Sequence, residues 1–402
     1  MIIDGLIHQL SSMHQGKYVF SQIMEQVVRY QFNQCVARYR GEYRVKNLTC
    51  WEQFLALSFG QLSFRKSLRD IVVCLTAHRE KLYHLGFSSS IHLPTLARAN
   101  ERREWRIYRD YAQLLIVEAR NIYAHDSITT LAINEAVYVI DSTTIELCLN
   151  LFNWARVRVK QAAIKLHLGL ELHGNIPSFF ALTSGKVADI TFLDQIKYEI
   201  GAYYIFDRGY MDFERFSKMN EAGVFFVTRA KHNWSFRRLY SHAVDEQTGI
   251  RCDQTVVQGL QHYPRKYQGK LRRIKYYDAE SKRYYVFITN NFVLPATVIA
   301  ELYKQRWQVE LFFKWIKQHL SIESFWGRSA NAVKTQICIA LCAYLLVAIL
   351  KKKLRIDRNS YEILQILSVS PFDKTPIVKL ISEYQLPISE PPLQKQAELW
   401  AF

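Results

Sequence analysis

Ile164, Leu166, Leu168, Leu170 and Leu172 alternate with other residues, as a half-buried strand requires, because successive side chains point to opposite faces of a sheet. Gly174-Asn175 supplies a turn, and residues 176–182 predict a further strand. Upstream, Tyr138-Val139-Ile140-Asp141 is a short β-type run that ends in a carboxylate. Downstream, a helical stretch over about 191–199 leads to Tyr203-Tyr204-Ile205-Phe206, a buried-looking strand that ends at Asp207. A helix over about 212–222 and a fifth strand over 224–228 complete the run. Strands joined by hairpins, then strands alternating with helices, predict an α/β fold with a mixed sheet flanked by helices. Such sheets carry their sites at strand ends, where Asp141 and Asp207 stand.

The flanking segments read differently. Residues 1–110 are mostly helical in pattern, with no strand alternation. Residues 231–290 are turn-rich and then β-like over 282–289, which predicts an inserted β subdomain. One long helix is expected over 296–319 and another over 330–353. The apolar run 337–350 covers 14 residues, short of the roughly 20 that span a bilayer, so it reads as a buried core helix. The predicted organisation is a helical N-terminal domain (1–115), an α/β core in two parts (132–230 and 296–353), a basic β-rich insertion between them (231–295) and a C-terminal region (354–402). A length of 402 residues suits several domains.

Charge narrows the function. Lys and Arg number 53 against 36 Asp and Glu, a net charge of +17, and such an excess calls for a polyanionic partner or a membrane surface. No spanning segment is expected, and Met1-Ile2-Ile3-Asp4 does not begin a secretory signal. The seven cysteines contain no C-x-x-C pair, which argues against a disulfide framework or a zinc site and for a reduced compartment. Cys338 and Cys342 read as core filler. Residues 231–290 hold 12 Lys/Arg against 5 Asp/Glu, six of them within 265–275: Arg265, Lys266, Lys270, Arg272, Arg273 and Lys275. Arg272, Arg273 and Lys275 are the residues expected to meet DNA from this insertion. The N-terminal clusters, Arg65-Lys66-Arg69 and Arg98 to Arg109, are diluted by Glu101, Glu104 and Asp110.

Three carboxylates stand out by context: Asp141, Asp207 and Glu310. Mg²⁺ prefers oxygen donors and a partly hydrated site, and a pair of such ions activates water and stabilises the leaving oxygen of a phosphodiester. At about 100° per residue, Tyr303, Arg306, Glu310 and Lys317 fall within roughly 60° of arc, with Phe312, Trp315 and Ile316 on the other side. Other readings compete. Asp141 before Ser-Thr-Thr also suits a turn or helix cap, and Glu310 a solvated helix position. Asp189 and Asp194 lie between the two aspartates, and Asp189 reads as the N-cap of a following helix. Glu301 lies off the stripe, and His167 and His173 read as structural.

These residues form three motifs in order: Tyr138-Val139-Ile140-Asp141-Ser142-Thr143-Thr144, Phe206-Asp207-Arg208-Gly209-Tyr210, and Tyr303-x2-Arg306-x3-Glu310-x6-Lys317. In them the chain resembles the DDE transposases of bacterial insertion sequences, the cut-and-paste group marked by Y-x2-R-x3-E-x6-K, over about residues 137–350. The resemblance implies an RNase H-like core with a β-strand insertion between the second Asp and the Glu, and it implies that this core is catalytic and that the N-terminal domain binds DNA. It implies Asp141, Asp207 and Glu310 as catalytic residues holding two Mg²⁺ ions, with Mn²⁺ in their place. It further implies a homodimer pairing two transposon ends, double-stranded DNA (terminal inverted repeats and target) as partner, and a place at the bacterial nucleoid in the cytoplasm. Tyr303, Arg306, Lys317 and Arg208 are implied to grip phosphates. In the family an aromatic residue stacks on a base flipped from the DNA end, for which Trp234, Tyr284, Tyr285 and Trp307 are the candidates. Two alternatives share the features: a metal-dependent nuclease without strand transfer, and a non-catalytic DNA-binding protein.

Overall fold

The computed structural model describes residues 16–124, 133–148, 150–158, 161–259, 266–319 and 325–382. Arg265 of the basic insertion lies outside them. The chain divides into two compact units, one of Met1–Ala124, Ile145–Ile164 and Phe313–Pro387, the other of His125–Thr144, Lys165–Phe312 and Ile388–Phe402. The division falls inside the segment read as the second part of the core, between Phe312 and Phe313.

The first unit is built on helices. Cys50–Leu62 opens with a capping box, Thr49 accepting from Glu52 N while the Glu52 side chain accepts from Thr49 N, which satisfies two of the orphan donors of a helix start. Ser67 caps Leu68–Ala77. Arg106–Tyr123 lays its apolar stripe (Ile107, Tyr111, Leu115, Ala119) inward. The run 337–350 lies within the helix Ala330–Lys353, capped by Ser329 and buried on every side from Ile337 to Leu350. A helix apolar all round belongs at the centre of its unit. Tyr123 reaches it there, its hydroxyl donating to Ala348 O at 2.9 Å. Cys338 and Cys342 are both buried in it.

The second unit is organised by a mixed sheet. The strands are β1 (Val137–Leu147), β2 (Arg156–Arg158), β3 (Gln161–Glu171), β4 (Ile176–Ser184), β5 (Tyr203–Phe206), β6 (Phe225–Arg229), β7 (Phe236–His242), β8 (Ile250–Gln258), β9 (Leu271–Asp278) and β10 (Arg283–Thr289), of which β2, the end of β1 past Thr144 and the start of β3 up to Ile164 fall within the first unit. The lateral order is β2-β3-β1-β5-β6-β10-β9-β8-β7, with β4 on β3. Gly174 and Asn175 turn the β3–β4 hairpin at φ 73° and 54°, the left-handed pair that a tight hairpin needs. Strands β1, β5 and β6 run parallel, while β10, β9, β8 and β7 continue antiparallel. The insertion is therefore an extension of the central sheet, not a separate subdomain, because β10 pairs directly with β6. Helix Phe213–Glu221 covers one face, Phe216 lying 4.2 Å from Phe226. Helix Ala296–Lys304 covers the other, Tyr303 lying 4.9 Å from Phe287.

Three local expectations are corrected. The helix expected over 296–319 is two, Ala296–Lys304 and Trp307–His319. Between them Arg306 N bonds Tyr303 O at 3.1 Å and Gln308 N bonds Gln305 O at 2.9 Å, and these tighter i→i+3 bonds interrupt the α ladder. Strand β1 does not end at Asp141 but runs on to Leu147. Only a 3-10 turn, Asp189–Gln195, replaces the helix expected near 191–199, so Asp189 caps nothing. Its carboxylate instead takes the Lys165 ammonium at 2.9 Å.

Candidate active site

Strand register sets the first two carboxylates side by side. Ile140 pairs with Phe206, the last residue of β5, and Phe206 pairs with Thr228 on β6. The next residues along these parallel strands are Asp141, Asp207 and Arg229, at one level across the sheet. Each aspartate has one oxygen taken by a backbone amide: Ser142 N donates to Asp141 Oδ1 at 2.8 Å, and Gly209 N to Asp207 Oδ1 at 2.7 Å. The Gly209 position tolerates no side chain without movement, since a Cβ would sit 2.8 Å from that same oxygen. Thr228 Oγ1 donates to Asp207 O at 3.1 Å and ties β6 to the site.

Glu310 joins through Arg306. The Arg306 guanidinium lies 2.6 Å from Glu310 Oε1 and 3.6 Å from Asp141 Oδ2, so one cation serves two carboxylates. Its side chain is about four-fifths covered, with 19% exposed, against 21% for Asp141 and 34% for Glu310. Burial pushes the Asp141 carboxyl up to about 7. The Ser142 amide and Arg306 oppose that rise, while the charges of Asp207 and Glu310 add to it. Loss of solvation is thus the main cause of the shift, and the like charges of the cluster are the smaller one. All donors are carboxylate oxygens, the chemistry a hard divalent cation prefers. Among the described residues no three such side chains stand at ligand spacing, and Arg306 contacts both Asp141 and Glu310.

Around Glu310 opens a cleft of about 650 Å³ whose wall carries Arg208, Arg229, Arg283, Lys304 and Arg306 beside Tyr303 and Trp307. Five cations against one carboxylate give the cleft a strongly positive wall. The N-terminal part of the chain, residues 15–88, matches a family described as a domain of unknown function (DUF4372). Residues 134–346 match the family described as the Transposase DDE domain, spanning the three motifs. The chain belongs to the DDE transposases. It is 33% identical over 273 residues to y4zB of Sinorhizobium fredii, named as a transposase, covering 67% of this chain and 74% of that one. A Geobacillus stearothermophilus protein, named as a transposase for insertion sequence element IS5377, is 31% identical over 215 residues, 52% of this chain and 55% of its own length. The solved piggyBac transposase synaptic complex with hairpin DNA overlays loosely, with a TM-score of 0.42 and 11% identity over 94% of this chain and 81% of that one.

In this transposase the expected DNA-binding residues separate. Tyr303, Arg306, Trp307 and Arg208 line the cleft. Lys317 is half-buried on the helix Trp307–His319, seven residues beyond Glu310. Arg273 and Lys275 lie on one face of β9, over the Phe236 ring at 4.9 Å and the Tyr284 ring at 4.7 Å. Arg272 is corrected: it faces inward, only 7% exposed, and its guanidinium forks onto Asp253 at 2.9 and 2.7 Å. Strand alternation forces this, because neighbours in a strand point to opposite faces. Of the aromatic candidates, Tyr284 is 59% exposed and Trp307 lines the cleft. Tyr285 also lines the cleft but is 6% exposed, with the Arg229 guanidinium over its ring at 4.9 Å, and Trp234 stacks on Phe236 at 4.9 Å. His167 is buried against Thr183 and Phe192, which suits its structural reading. Arg229 was missed by sequence reasoning. Its signal is lateral, visible only once three parallel strands are aligned.

Proposed function

We propose that this transposase cuts and joins DNA through Asp141, Asp207 and Glu310. The observation that supports the reading is the register that brings Asp141 and Asp207 to one level, with Glu310, in the lining of a basic cleft, linked to Asp141 by Arg306. Members of the family work with a divalent metal ion. Two Mg²⁺ ions held by the three carboxylates, or Mn²⁺ in their place, would supply Lewis acidity and a nucleophile at neutral pH. The protein's own groups do the rest. Tyr303, Arg306 and Arg208 bind phosphate oxygens along the cleft and neutralise charge as it builds at the scissile bond. Lys317, about 10 Å along the helix axis from Glu310, serves a neighbouring phosphate. Trp307 and Tyr284 offer faces on which a displaced base stacks. A dimer on paired transposon ends, with the freed 3′-hydroxyl passing through a hairpin before target joining, completes the proposed pathway.

The test is a labelled DNA carrying the element's own inverted repeats, incubated with Mg²⁺ and a target plasmid. Nicks with 3′-hydroxyl ends followed by joined products are expected. Nicks that never convert to joined products would favour the nuclease alternative, and no processing would favour the DNA-binding one.

The face of β9 that carries Arg273 and Lys275 is proposed to meet the DNA backbone. Replacing both by Gln should lower end-DNA affinity and flatten log K against log[salt] by roughly 0.9 for each phosphate that the variant no longer neutralises. A slope equal to that of the parent would remove this face from the DNA path. Arg272 is left out of this variant because its charge is already met inside the protein.

A further inference from the structure

The inward face of β9 does something the outward face cannot. Arg272 and Asp253 form a two-pronged ion pair buried between β9 and β8, each residue 7% exposed. The third nitrogen of the Arg272 fork donates to Leu294 O at 2.5 Å and lies 3.5 Å from Asn291 O. Leu294 immediately precedes Pro295, the cap position of the helix Ala296–Lys304, and that position provides no side-chain cap. Asn291 holds the same turn through its side chain. Its Oδ1 accepts from Val293 N and Leu294 N at 3.0 and 2.8 Å, and its Nδ2 donates to the Tyr203 hydroxyl at 3.1 Å. Tyr203 begins β5, the strand that delivers Asp207.

One polar chain therefore runs from the outer strands through the turn to the strand of the second aspartate. The helix that leaves this turn carries Tyr303, and Arg306 and Glu310 follow directly. A buried ion pair contributes little to stability compared with a well-packed apolar pair, and its best-attested use is to fix one arrangement. We infer that Arg272 and Asp253 are positioning residues for the active site, a buried tie that sets the helix start and so the pose of Tyr303, Arg306 and Glu310 against Asp207. This rests on the proposed role of the three carboxylates and adds a mechanical origin for their alignment.

The experiment compares the parent with Asp253→Asn and with the apolar pair Arg272→Met/Asp253→Leu, which leaves no buried charge unpaired. Melting temperature and end-DNA affinity are measured first, followed by hydrogen exchange of the 303–310 amides and single-turnover cleavage at saturating DNA. The apolar pair is expected to fold, and to bind DNA within about twofold of the parent because neither side chain reaches the cleft. Exchange over 303–310 should quicken about tenfold as the segment opens more often. Cleavage should fall by roughly 10- to 100-fold, the size of a misplacement near 1 Å. Unchanged exchange in the apolar pair would overturn the tie, and faster exchange with a parental cleavage rate would overturn its catalytic purpose. A parent that shows no metal-dependent cleavage would instead defeat the carboxylate assignment, while the exchange result would still decide the tie.

Discussion

Asp141→Asn, Asp207→Asn and Glu310→Gln are each expected to reduce cleavage of transposon-end DNA by roughly 10³-fold or more, since metal stabilisation of transition-state charge is worth several kcal/mol and about 1.4 kcal/mol is tenfold. Each change keeps the size of the side chain and removes a charged oxygen. The hydrogen bonds from the backbone survive it: an amide oxygen still accepts from Ser142 N at position 141 and from Gly209 N at position 207. DNA affinity should hold, because the cations of the cleft are untouched. The metal-free melting temperature of Asp141→Asn should equal or exceed that of the parent, since burial and two neighbouring carboxylates already disfavour the Asp141 charge. The check is a set of cleavage time courses in Mg²⁺, read beside melting curves. A variant that cleaves at the parental rate would take its residue off the ligand list.

Arg306→Ala carries the second largest effect. This guanidinium contacts Glu310 and faces Asp141, so its removal leaves two half-buried carboxylates without their shared counter-charge. Cleavage is expected to fall by roughly 10²–10³-fold, the loss seen when one preorganised donor to transition-state charge is deleted. Metal-free stability should fall by about 1–3 kcal/mol, the lower end for a pair still partly open to water. Arg306→Lys should recover much of the stability and less of the rate, because an ammonium supplies the charge without the fork. Urea unfolding and single-turnover cleavage separate the two effects. Equal recovery of both by Lys would mean that charge alone matters at this position.

The three carboxylates stand out in the chain because each sits in a local pattern: an apolar run ending in Asp141, another ending in Asp207, and the Tyr303-x2-Arg306-x3-Glu310-x6-Lys317 spacing, which the structure places across two helices and not on one continuous stripe. What could not be read depends on which way a side chain faces or on partners far along the chain. Arg272 looked like its basic neighbours, but the phase of β9 turns 272 inward and 273 and 275 outward. Arg229 carries no local signature, and only the β1–β5–β6 register sets it beside the acids. The break after Lys304 has no Pro or Gly to announce it. Asp189 resembled a cap because its partner, Lys165, lies 24 residues upstream. The insertion looked detached because nothing within residues 231–290 states that β10 will pair with β6.

Anomalous scattering from Mn²⁺ in crystals of the transposase with its end DNA tests the central claim most directly. Two peaks are expected within coordination distance of Asp141, Asp207 and Glu310, separated by about 3.5–4 Å, with Arg306 turned from the carboxylates toward phosphate. Peaks held by other acidic residues, with these three carboxylates still paired to Arg306 and bearing no ion, would contradict it.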